Sequence, residues 1–547
     1  VIDQIQHRTA IAEEIPGERL IPPRQAPHFC QSLVLKYPNR VTLGSTIDPD
    51  KQSTCQRLAE NHQQLLHSMD IHNVAMVVLD NASGDILAMI GSANFGDWKH
   101  DGQVNGALAP RSPGSTLKPF VYAQAIDSGL LSPQMRLADI PVDYDGYSPE
   151  NYDEQYHGTV SLREALIRSF NVPAVKACDM VGVEQFHRFL RRGGLATVDK
   201  PFHHYGLPLV LGGCEVTLLD LSALYGALAR DGKCVAPRWL ANEAGSGVQS
   251  DSTDHLLSAE ACYLVSDILA ELHRPDLPTS WEFTKDMPRV AWKTGTSYGR
   301  RDAWAIGCNP HLTIGVWAGN FSGEGSVDLQ GAKIAAPLML SAFSKLAGEN
   351  QRGWFARPPG IAVRPVCAAT GQPPNDYCEH TVYEEYIPGS SPMTACEVHQ
   401  LALVDLATGR RVSRWASFGR DVRQDTVAVW PPHIAGWLAA HGQSPKPVTV
   451  APSIHVSSTA TARPVITSPP DNGSFILLDD IPPQYQKILL EASVGSDSRT
   501  VHWFVDRRLL ATAEVGERVF YTPSRGTHRV MCVDDLGRSG SVTIDVK

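Results

Sequence analysis

Apolar residues recur at helical spacing through the middle of this chain and at strand spacing near its end. In the middle, segments of helical periodicity alternate with short apolar runs that are typical of strands, and helices outnumber strands. Two of these runs flank a tight Asp-Asn-Ala-Ser-Gly-Asp turn at 80–85, which predicts a β-hairpin. The pattern therefore predicts an α+β domain. We expect helices at 48–66, 120–128, 160–168, 174–180, 218–230 and 259–271, and strands at 74–79, 86–90, 290–293, 303–307 and 312–317.

The last part of the chain follows a different pattern. Short runs rich in β-branched and aromatic residues are separated by turn residues, which predicts a small Ig-like β-sandwich without helices. A segment dense in Pro, Ser and Thr precedes it and is typical of a linker. We expect a lead-in at 1–65, the α+β domain at 66–355, a Cys-containing connecting region at 356–440, the linker at 441–464 and the sandwich at 465–547.

Composition excludes several classes of function. Of the 547 residues 43% are hydrophobic and 19% are charged, as in ordinary soluble globular proteins. The 48 Lys and Arg against 58 Asp and Glu give a net charge of -10 without a dense basic run, which argues against nucleic-acid binding. No stretch reaches the roughly 18 to 20 apolar residues of a membrane helix. The start at Val1 instead of Met predicts a fragment or a processed chain.

Three short motifs carry the candidate chemistry. They are Ser-Thr-Leu-Lys at 115–118, Ser-Phe-Asn at 169–171 and Lys-Thr-Gly-Thr at 293–296. Each motif alone is weak, because strings of this length recur by chance in a chain of this size. Their order and context make the set specific.

Ser115 follows Pro113 and Gly114 and opens an apolar periodic segment, so we expect it in the first turn of a helix. Lys118 lies three residues later on the same helix face and is a candidate base. A lysine serves as a base near neutral pH only if burial or a neighbouring cation lowers its pKa, and Lys293 is the candidate cation. A helix cap at Ser115 and a solvated lysine at 118 are the alternative interpretation.

The Lys-Thr-Gly-Thr motif follows Val290 and Ala291 and is expected to form a strand. Strand alternation places Thr294 and Thr296 on one side, and Gly295 between them leaves room for a ligand near the backbone. Two hydroxyls beside the Lys293 ammonium suit a carboxylate ligand. The alternative is a polar edge strand protected by a lysine.

Together the three motifs and their surroundings resemble the transpeptidase domain of the class A penicillin-binding proteins. The resemblance covers roughly residues 66 to 350, and the lead-in and C-terminal region are similar to the 1C type of that family. It implies the fold of serine penicillin-recognising enzymes, with an antiparallel sheet that has helices on both faces. The segments that carry it, besides the three motifs, are 79–91, 111–120, 147–153, 162–166, 169–175, 211–213 and 302–304.

The resemblance implies a reaction and four catalytic roles. Ser115 would attack the carbonyl between the two terminal D-alanines of a peptidoglycan stem peptide while Lys118 accepts its proton. Ser169 would relay that proton to the departing D-alanine, and Asn171 would hold the amide of the donor peptide. An amine from a neighbouring stem would resolve the acyl-enzyme and form a cross-link, and β-lactam antibiotics would acylate the same serine.

The strand motif and two backbone groups complete the implied site. Lys293, Thr294, Gly295 and Thr296 would bind the terminal carboxylate of the substrate. The backbone N–H groups of Ser115 and Thr296 would form the oxyanion hole. No cofactor and no catalytic metal are expected.

The resemblance further implies a periplasmic enzyme that an N-terminal helix anchors in the inner membrane, preceded by a glycosyltransferase domain; neither segment is in this sequence. The sandwich would bind a partner, and a periplasmic α2-macroglobulin-like protein is the first candidate. A DD-carboxypeptidase, a β-lactamase and a non-catalytic penicillin-binding receptor remain alternatives, since sequence does not report turnover.

Four residues outside the motifs could bind zinc. Cys367, Cys378, Cys396 and His399 would supply three sulfurs and a nitrogen, although their spacings are loose. In a periplasmic protein a disulfide is the favoured interpretation, with free cysteines next and zinc last.

Overall fold

The computed structural model describes residues 25–144, 146–241, 255–271, 288–346, 348, 353–407, 410–412, 421–442, 449–450, 463–477, 482, 486–495 and 498–547. The first 24 residues of the predicted lead-in and most of the predicted linker lie outside these ranges. No helix within them is both long enough and apolar enough to cross a bilayer.

The α-helices concentrate in the first two thirds of the chain, and local sequence explains where several of them begin. The side chains of Asp48, Ser161, Thr217 and Ser258 each accept a hydrogen bond from a backbone N–H of the first turn that follows. The α-helices are Pro27–Lys36, Pro49–Leu66, Lys118–Asp127, Leu162–Ile167, Asn171–Val181, Val183–Arg192, Phe202–Tyr205, Leu218–Leu228, Ala259–Leu269, Gly331–Leu346 and Pro432–Ala440, and the 3-10 helices are His67–Met69, Trp98–His100, Gly114–Leu117 and Leu207–Leu211.

The strands form six sheets within the described residues. Strands of the α+β region are β1 (Asn73–Asp80), β2 (Ile86–Ile90), β3 (Arg136–Asp139), β4 (Gly158–Ser161), β5 (Ala291–Thr296), β6 (Asp302–Cys308) and β7 (Leu312–Gly319). Those that follow are β8 (Ala362–Cys367), β9 (Thr381–Tyr386), β10 (His399–Asp405), β11 (Arg410–Val412), β12 (Val422–Ala428), β13 (Thr449–Val450), β14 (Val465–Ser468), β15 (Gly473–Phe475), β16 (Ile488–Ser493), β17 (Thr500–Val505), β18 (Arg508–Glu514), β19 (Val519–Tyr521), β20 (Gly526–Asp534) and β21 (Ser539–Val546).

A five-stranded sheet in the order β2-β1-β7-β6-β5 organises the first region, and every neighbouring pair in it is antiparallel. Two glycines of this sheet show which helix packs against each of its faces. A Cβ at Gly315 would meet Ser222 of the helix Leu218–Leu228, whereas a Cβ at Gly307 would meet Met339 of the helix Gly331–Leu346. Because Gly307 pairs with Ile314, the neighbour of Gly315, these two glycines face opposite sides of the sheet. Helices therefore cover both faces.

Most of the elements predicted for this region are present with shifts of a few residues, and the hairpin of β1 and β2 is confirmed. The predicted helix at 160–168 is wrong in its first part. Gly158–Ser161 pairs with Arg136–Asp139 as a strand, and the helix begins only at Leu162, where the Ser161 side chain caps it.

The connecting region contains more regular structure than its sequence predicts. β8 and β9 form a hairpin, and β12, β10, β11 and β13 form a separate sheet. The hairpin binds the α+β region through the buried Glu384 side chain. Its carboxylate accepts hydrogen bonds from Arg364 Nε (2.9 Å), Ser132 Oγ (3.1 Å) and the backbone N–H of Gln134 (3.0 Å).

The C-terminal region is built of strands, as its sequence predicts, and no helix occurs in the described part of 463–547. A three-stranded sheet (β14-β16-β19) and a five-stranded sheet (β15-β21-β20-β17-β18) contribute to one hydrophobic cluster. In β17 the burial alternates, and Val501, Trp503 and Val505 point into this cluster. The strand-like runs of the sequence lie at 475–478, 487–492, 501–505, 518–522, 528–533 and 541–546, so β14 and β18 are strands that the sequence does not predict.

Candidate active site

The first motif forms a tight turn at the start of a helix. Ser115 lies in the 3-10 helix Gly114–Leu117, and the α-helix begins at Lys118. This corrects the expectation that Ser115 opens the α-helix itself. Pro119 follows in the first turn of this helix, where a backbone N–H would have no partner within the helix. A proline is therefore tolerated there and favours the start of an α-helix at this point. The two motif residues therefore lie one 3-10 turn apart, and Lys118 N–H donates to Ser115 O.

This turn packs directly against the edge strand β5. A Cβ at Gly114, whose φ is +54°, would lie 2.5 Å from Thr296 O and 2.9 Å from Thr296 N. Likewise, a Cβ at Gly295 would collide with Pro113 O, and a Cβ at Gly212 would collide with Gly114 N. The three glycines thus permit a backbone approach that side chains would prevent.

The approach brings together the two backbone N–H groups of the expected oxyanion hole. β5 is the last strand of its sheet, so its outer backbone groups have no strand partner among the described residues. Ser297 N–H donates to Asp302 O (3.0 Å) across the pair with β6. Because successive N–H groups of a strand point to opposite sides, Thr296 N–H points away from β6 and toward the turn that carries Ser115.

The second motif occupies a strained turn between the helices Leu162–Ile167 and Asn171–Val181. Ser169 has φ of +59°, a region that residues other than glycine rarely adopt. Asn151 fixes the backbone just after Ser169, because its Oδ1 accepts hydrogen bonds from the N–H groups of Asn171 (2.8 Å) and Val172 (3.3 Å). Its Nδ2 donates to Asp139 Oδ1 (2.7 Å), which ties the turn to β3. This buried amide therefore positions Ser169 and Asn171.

Two lysine side chains meet at Ser169. Lys293 Nζ donates to Ser169 Oγ (2.6 Å) and to Thr294 O (3.1 Å). Lys118 Nζ donates to Ser169 O (2.6 Å) and to Asn171 Oδ1 (2.6 Å), and lies 3.5 Å from Ser169 Oγ. Both lysine side chains have 0% exposure. The Ser169 hydroxyl therefore lies between the two amines.

Burial changes the proton affinity of both amines. The pKa of Lys118 is lowered well below its usual value, first by desolvation and then by the charge of Lys293. Desolvation lowers the pKa of Lys293 to about 7. Desolvation and the neighbouring charge both favour the neutral form of Lys118. A neutral amine has two N–H donors and one lone pair, and the two carbonyl oxygens at 2.6 Å use both donors. The lone pair of Lys118 is then available to accept a hydroxyl proton.

The motifs open onto a cleft of about 1210 Å³, which is larger than a typical small-molecule pocket. Six of the expected site residues line it, namely Ser115, Ser169, Asn171, Thr294, Gly295 and Thr296. The two lysines lie beneath its surface. Charged side chains outside the three motifs also line the cleft, with three arginines against one glutamate: Arg168, Arg300, Arg301 and Glu324.

The structure thus brings together every residue expected at the site, although they come from separate parts of the chain. Asn151 and the arginines were missed because nothing in their local sequence marks them. Asn151 lies within a segment that carries the family resemblance, and this was the one available signal. A group of potential metal ligands in the described residues, at 367–399, does not line this cleft.

Replacing Gly212 with Ala tests the close packing of the Ser115 turn. Gly212 (φ +88°) and Gly182 (φ +89°) both need a positive φ, but only a Cβ at Gly212 meets another residue, Gly114, while a Cβ at Gly182 meets nothing within 4 Å. We expect both alanine variants to lose on the order of 1 kcal/mol of stability or more. Only Gly212→Ala should also slow acylation by a fluorescent penicillin. Equal acylation rates in the two variants would contradict the packing argument.

Comparison with known proteins agrees with this geometry. Residues 74–328 match the family described as penicillin binding protein transpeptidase domain. Residues 357–401 match the family penicillin-binding protein 1A, C-terminal domain, and residues 455–544 match the penicillin-binding protein C-terminus family. The solved structure of penicillin-binding protein 1A from Haemophilus influenzae is similar in fold, with a TM-score of 0.56 at 18% identity over 72% of this chain and 80% of that one.

Two curated relatives are similar over much of the chain. Penicillin-binding protein 1C of Escherichia coli is 31% identical over 95% of this chain and 67% of its own length. Penicillin-binding protein 2D of Bacillus subtilis is 25% identical over 70% of this chain, which spans 58% of that protein. The chain belongs to the class A penicillin-binding proteins and carries their transpeptidase domain.

Proposed function

We propose that this chain is a peptidoglycan DD-transpeptidase that works through an acyl-enzyme on Ser115. The observation that carries the proposal is the pair of buried lysines, Lys118 and Lys293, around the hydroxyl of Ser169, directly beneath the cleft that Ser115 lines. Such an arrangement provides a neutral base for a hydroxyl nucleophile and a path for its proton.

In the acylation step, Ser115 Oγ attacks the carbonyl between the terminal D-alanines, and its proton passes to the lone pair of Lys118. Ser115 Oγ has no hydrogen-bond partner within the described residues, so it is free to turn toward substrate; such contacts often tighten only when substrate binds. Ser169 Oγ accepts a hydrogen bond from Lys293, which leaves its own proton for the departing amine. Lys118 then returns the proton to Ser169.

Substrate binding uses hydrogen-bond donors of the cleft that have no partner within the described protein. The N–H groups of Ser115 and Thr296 stabilise the oxyanion, where loss of one donor typically costs about 2.7 to 4 kcal/mol. Asn171 Nδ2 gives one hydrogen to Glu150 O (2.7 Å) and keeps the other for the donor peptide amide. Thr296 Oγ1 accepts from Gly331 N–H (3.1 Å), so its own hydrogen remains for the terminal carboxylate.

The carboxylate of the substrate also needs a positive environment. Thr294 and Thr296 are half-buried on one side of β5, while Lys293 and Gly295 are buried on the other. Lys293 and the three cleft arginines supply positive charge for the carboxylate. Gly295 lines the cleft, but the space that a Cβ would fill there is taken by Pro113 and Thr116 of the Ser115 turn, so its expected role of making room for a ligand is not what this packing supports. An amine of a second stem peptide completes the cross-link. A β-lactam mimics the donor dipeptide and leaves an acyl-enzyme on Ser115.

We propose that the full-length protein lies in the periplasm and is anchored to the inner membrane, where a glycosyltransferase domain would make the glycan that this domain cross-links. The two C-terminal sheets share one hydrophobic cluster, which supports an Ig-like β-sandwich as a separate binding domain. Its proposed partner is a periplasmic α2-macroglobulin-like protein.

Replacement of Ser115 or Lys118 with Ala tests the two central roles. Ser115→Ala should remove the covalent penicillin adduct, because the nucleophile is gone, while Lys118→Ala should slow acylation about 10²- to 10⁴-fold. Intact-protein mass spectrometry over hours measures both. Lys176→Ala, which changes an exposed lysine paired with Asp179, is the control and should acylate normally. An adduct on the Ser115→Ala variant would refute the assignment, and rapid loss of the wild-type adduct would favour a β-lactamase.

The pH dependence of acylation tests the coupling between the lysines. A base is active when neutral, so the acylation rate should rise with pH and reach its plateau below the usual lysine pKa of 10.5. Lys293→Gln removes one of the two causes that lower the pKa of Lys118, so the rising limb should move to higher pH. Lys293→Arg retains the charge and should leave the limb in place. A limb that stays fixed in Lys293→Gln would exclude this coupling.

A chain that ends near residue 463 tests the separate role of the C-terminal region. The truncated protein should acylate with penicillin at the wild-type rate, because none of the described residues beyond 332 lines the cleft. It should lose binding to the α2-macroglobulin-like protein in a pull-down. If the shortened chain remains folded but no longer acylates, the C-terminal region contributes to the active site and the modular proposal fails.

A further inference from the structure

The connecting region holds a cluster of four potential metal ligands that the transpeptidase chemistry does not use. Cys367 ends β8, Cys378 lies in the loop before β9, and Cys396 and His399 flank the start of β10. Their sulfur and nitrogen atoms all lie within 4.8 Å of one another. Each of the three sulfurs lies 3.4 Å from the same atom, His399 Nδ1.

Hydrogen bonding alone does not account for this arrangement. One imidazole nitrogen makes a single hydrogen bond in its plane, so it does not satisfy three thiols at once. A disulfide does not account for it either, because all three cysteines are free. In contrast, a tetrahedral zinc ion with Zn–S of about 2.3 Å and Zn–N of about 2.0 to 2.1 Å places each sulfur about 3.5 Å from the nitrogen. The observed distances agree with that value.

The surrounding residues orient the ligands. Asn375 Nδ2 donates to Cys396 O (2.6 Å) and to His399 O (2.8 Å), while its Oδ1 accepts from the backbone N–H of Tyr377 (2.9 Å), the residue before Cys378. One amide thus fixes two ligand residues and the loop that carries a third. A tight turn fixes the fourth, since Gly371 N–H donates to Cys367 O (2.7 Å) and Cys367 N–H donates to Gln372 O (2.8 Å). Residues that position the ligands in this way are typical of metal sites in proteins.

Apolar burial contributes little to the stability of this part of the described structure. The apolar cluster at this point has three buried members, Cys367, Cys396 and Val398, and two of them are ligands. So small a core does not stabilise a fold by burial of apolar area, and small units of this kind commonly depend on a bound metal.

We propose that Cys367, Cys378, Cys396 and His399 bind one structural zinc ion. On binding, the three thiols release their protons to solvent, and Zn²⁺ accepts lone pairs from three thiolates and from His399 Nδ1. Four protein ligands leave no open position for a water or a substrate, so the site is structural and not catalytic. The ion would join the β8–β9 hairpin to β10.

Metal analysis of the full chain tests this proposal. Protein prepared under reducing conditions with Zn²⁺ and then desalted should retain about one zinc per chain by inductively coupled plasma mass spectrometry. Cys378→Ser should lose this zinc, whereas Cys30→Ser, which changes an exposed cysteine elsewhere, should retain it. Asn375→Ala keeps all four ligands and should weaken zinc binding about 10- to 100-fold. Equal zinc content in Cys378→Ser and wild type would overturn the assignment.

Two further measurements separate the alternatives. Co²⁺ in place of Zn²⁺ should give thiolate-to-cobalt charge-transfer absorption that Cys378→Ser reduces; histidines elsewhere do not produce this signal. Penicillin labelling of Ser115 verifies that each variant is folded, and we expect it to be unchanged, because none of the four ligands lines the catalytic cleft. Peptide mapping of protein isolated without reductant shows whether Cys367, Cys378 and Cys396 form a disulfide. If two of them are bonded to each other and the protein does not bind added zinc, the proposal is refuted.

Discussion

The exclusion of water from two lysine side chains is the constraint on which the catalytic region depends. A charged amine is costly to bury without a counter-ion, and no ion pair to Lys118 or Lys293 occurs within the described residues. Burial lowers the pKa values of both lysines, and carbonyl and hydroxyl oxygens accept hydrogen bonds from their amines. A proton on the pair is therefore held weakly, which is the property that an acid-base catalyst near neutral pH requires.

Such a site demands that three distant segments of the chain meet without side chains between them. Gly114, Gly212 and Gly295 occupy the places where a Cβ would collide with a neighbouring backbone. The strained Ser169 turn, held by Asn151, then directs a hydroxyl and a carbonyl toward the lysines. The fold accepts local strain and the loss of side-chain packing here, because both allow the catalytic groups to be fixed before substrate arrives.

The sequence predicts the residues of this site better than it predicts the helices and strands that surround them. The three motifs and the strand alternation at 293–296 were sufficient to indicate which residues meet, because their chemistry depends on side-chain type. The 3-10 turn at Ser115 was not predicted, since tertiary packing against β5 decides between 3-10 and α-helical geometry. The strand β18 was missed because Leu509 and Leu510 are exposed edge residues and give no alternating pattern. Asn151 acts through contacts with residues at 139 and 171, which local patterns do not reveal.

The connecting region that follows the catalytic region is held by a few polar contacts. The β8–β9 hairpin binds the α+β region through Glu384, whose buried carboxylate is satisfied by Arg364, Ser132 and a backbone N–H. Removing one partner from such a buried pair typically costs about 3 to 5 kcal/mol, so this contact fixes the geometry of the hairpin strongly. It acts at one end only, however, because the other end of the hairpin carries Cys367 and has a very small apolar core. The proposed zinc site lies at that end, where three cysteines and a histidine would join β10 to the hairpin and stabilise what the small apolar core leaves weak.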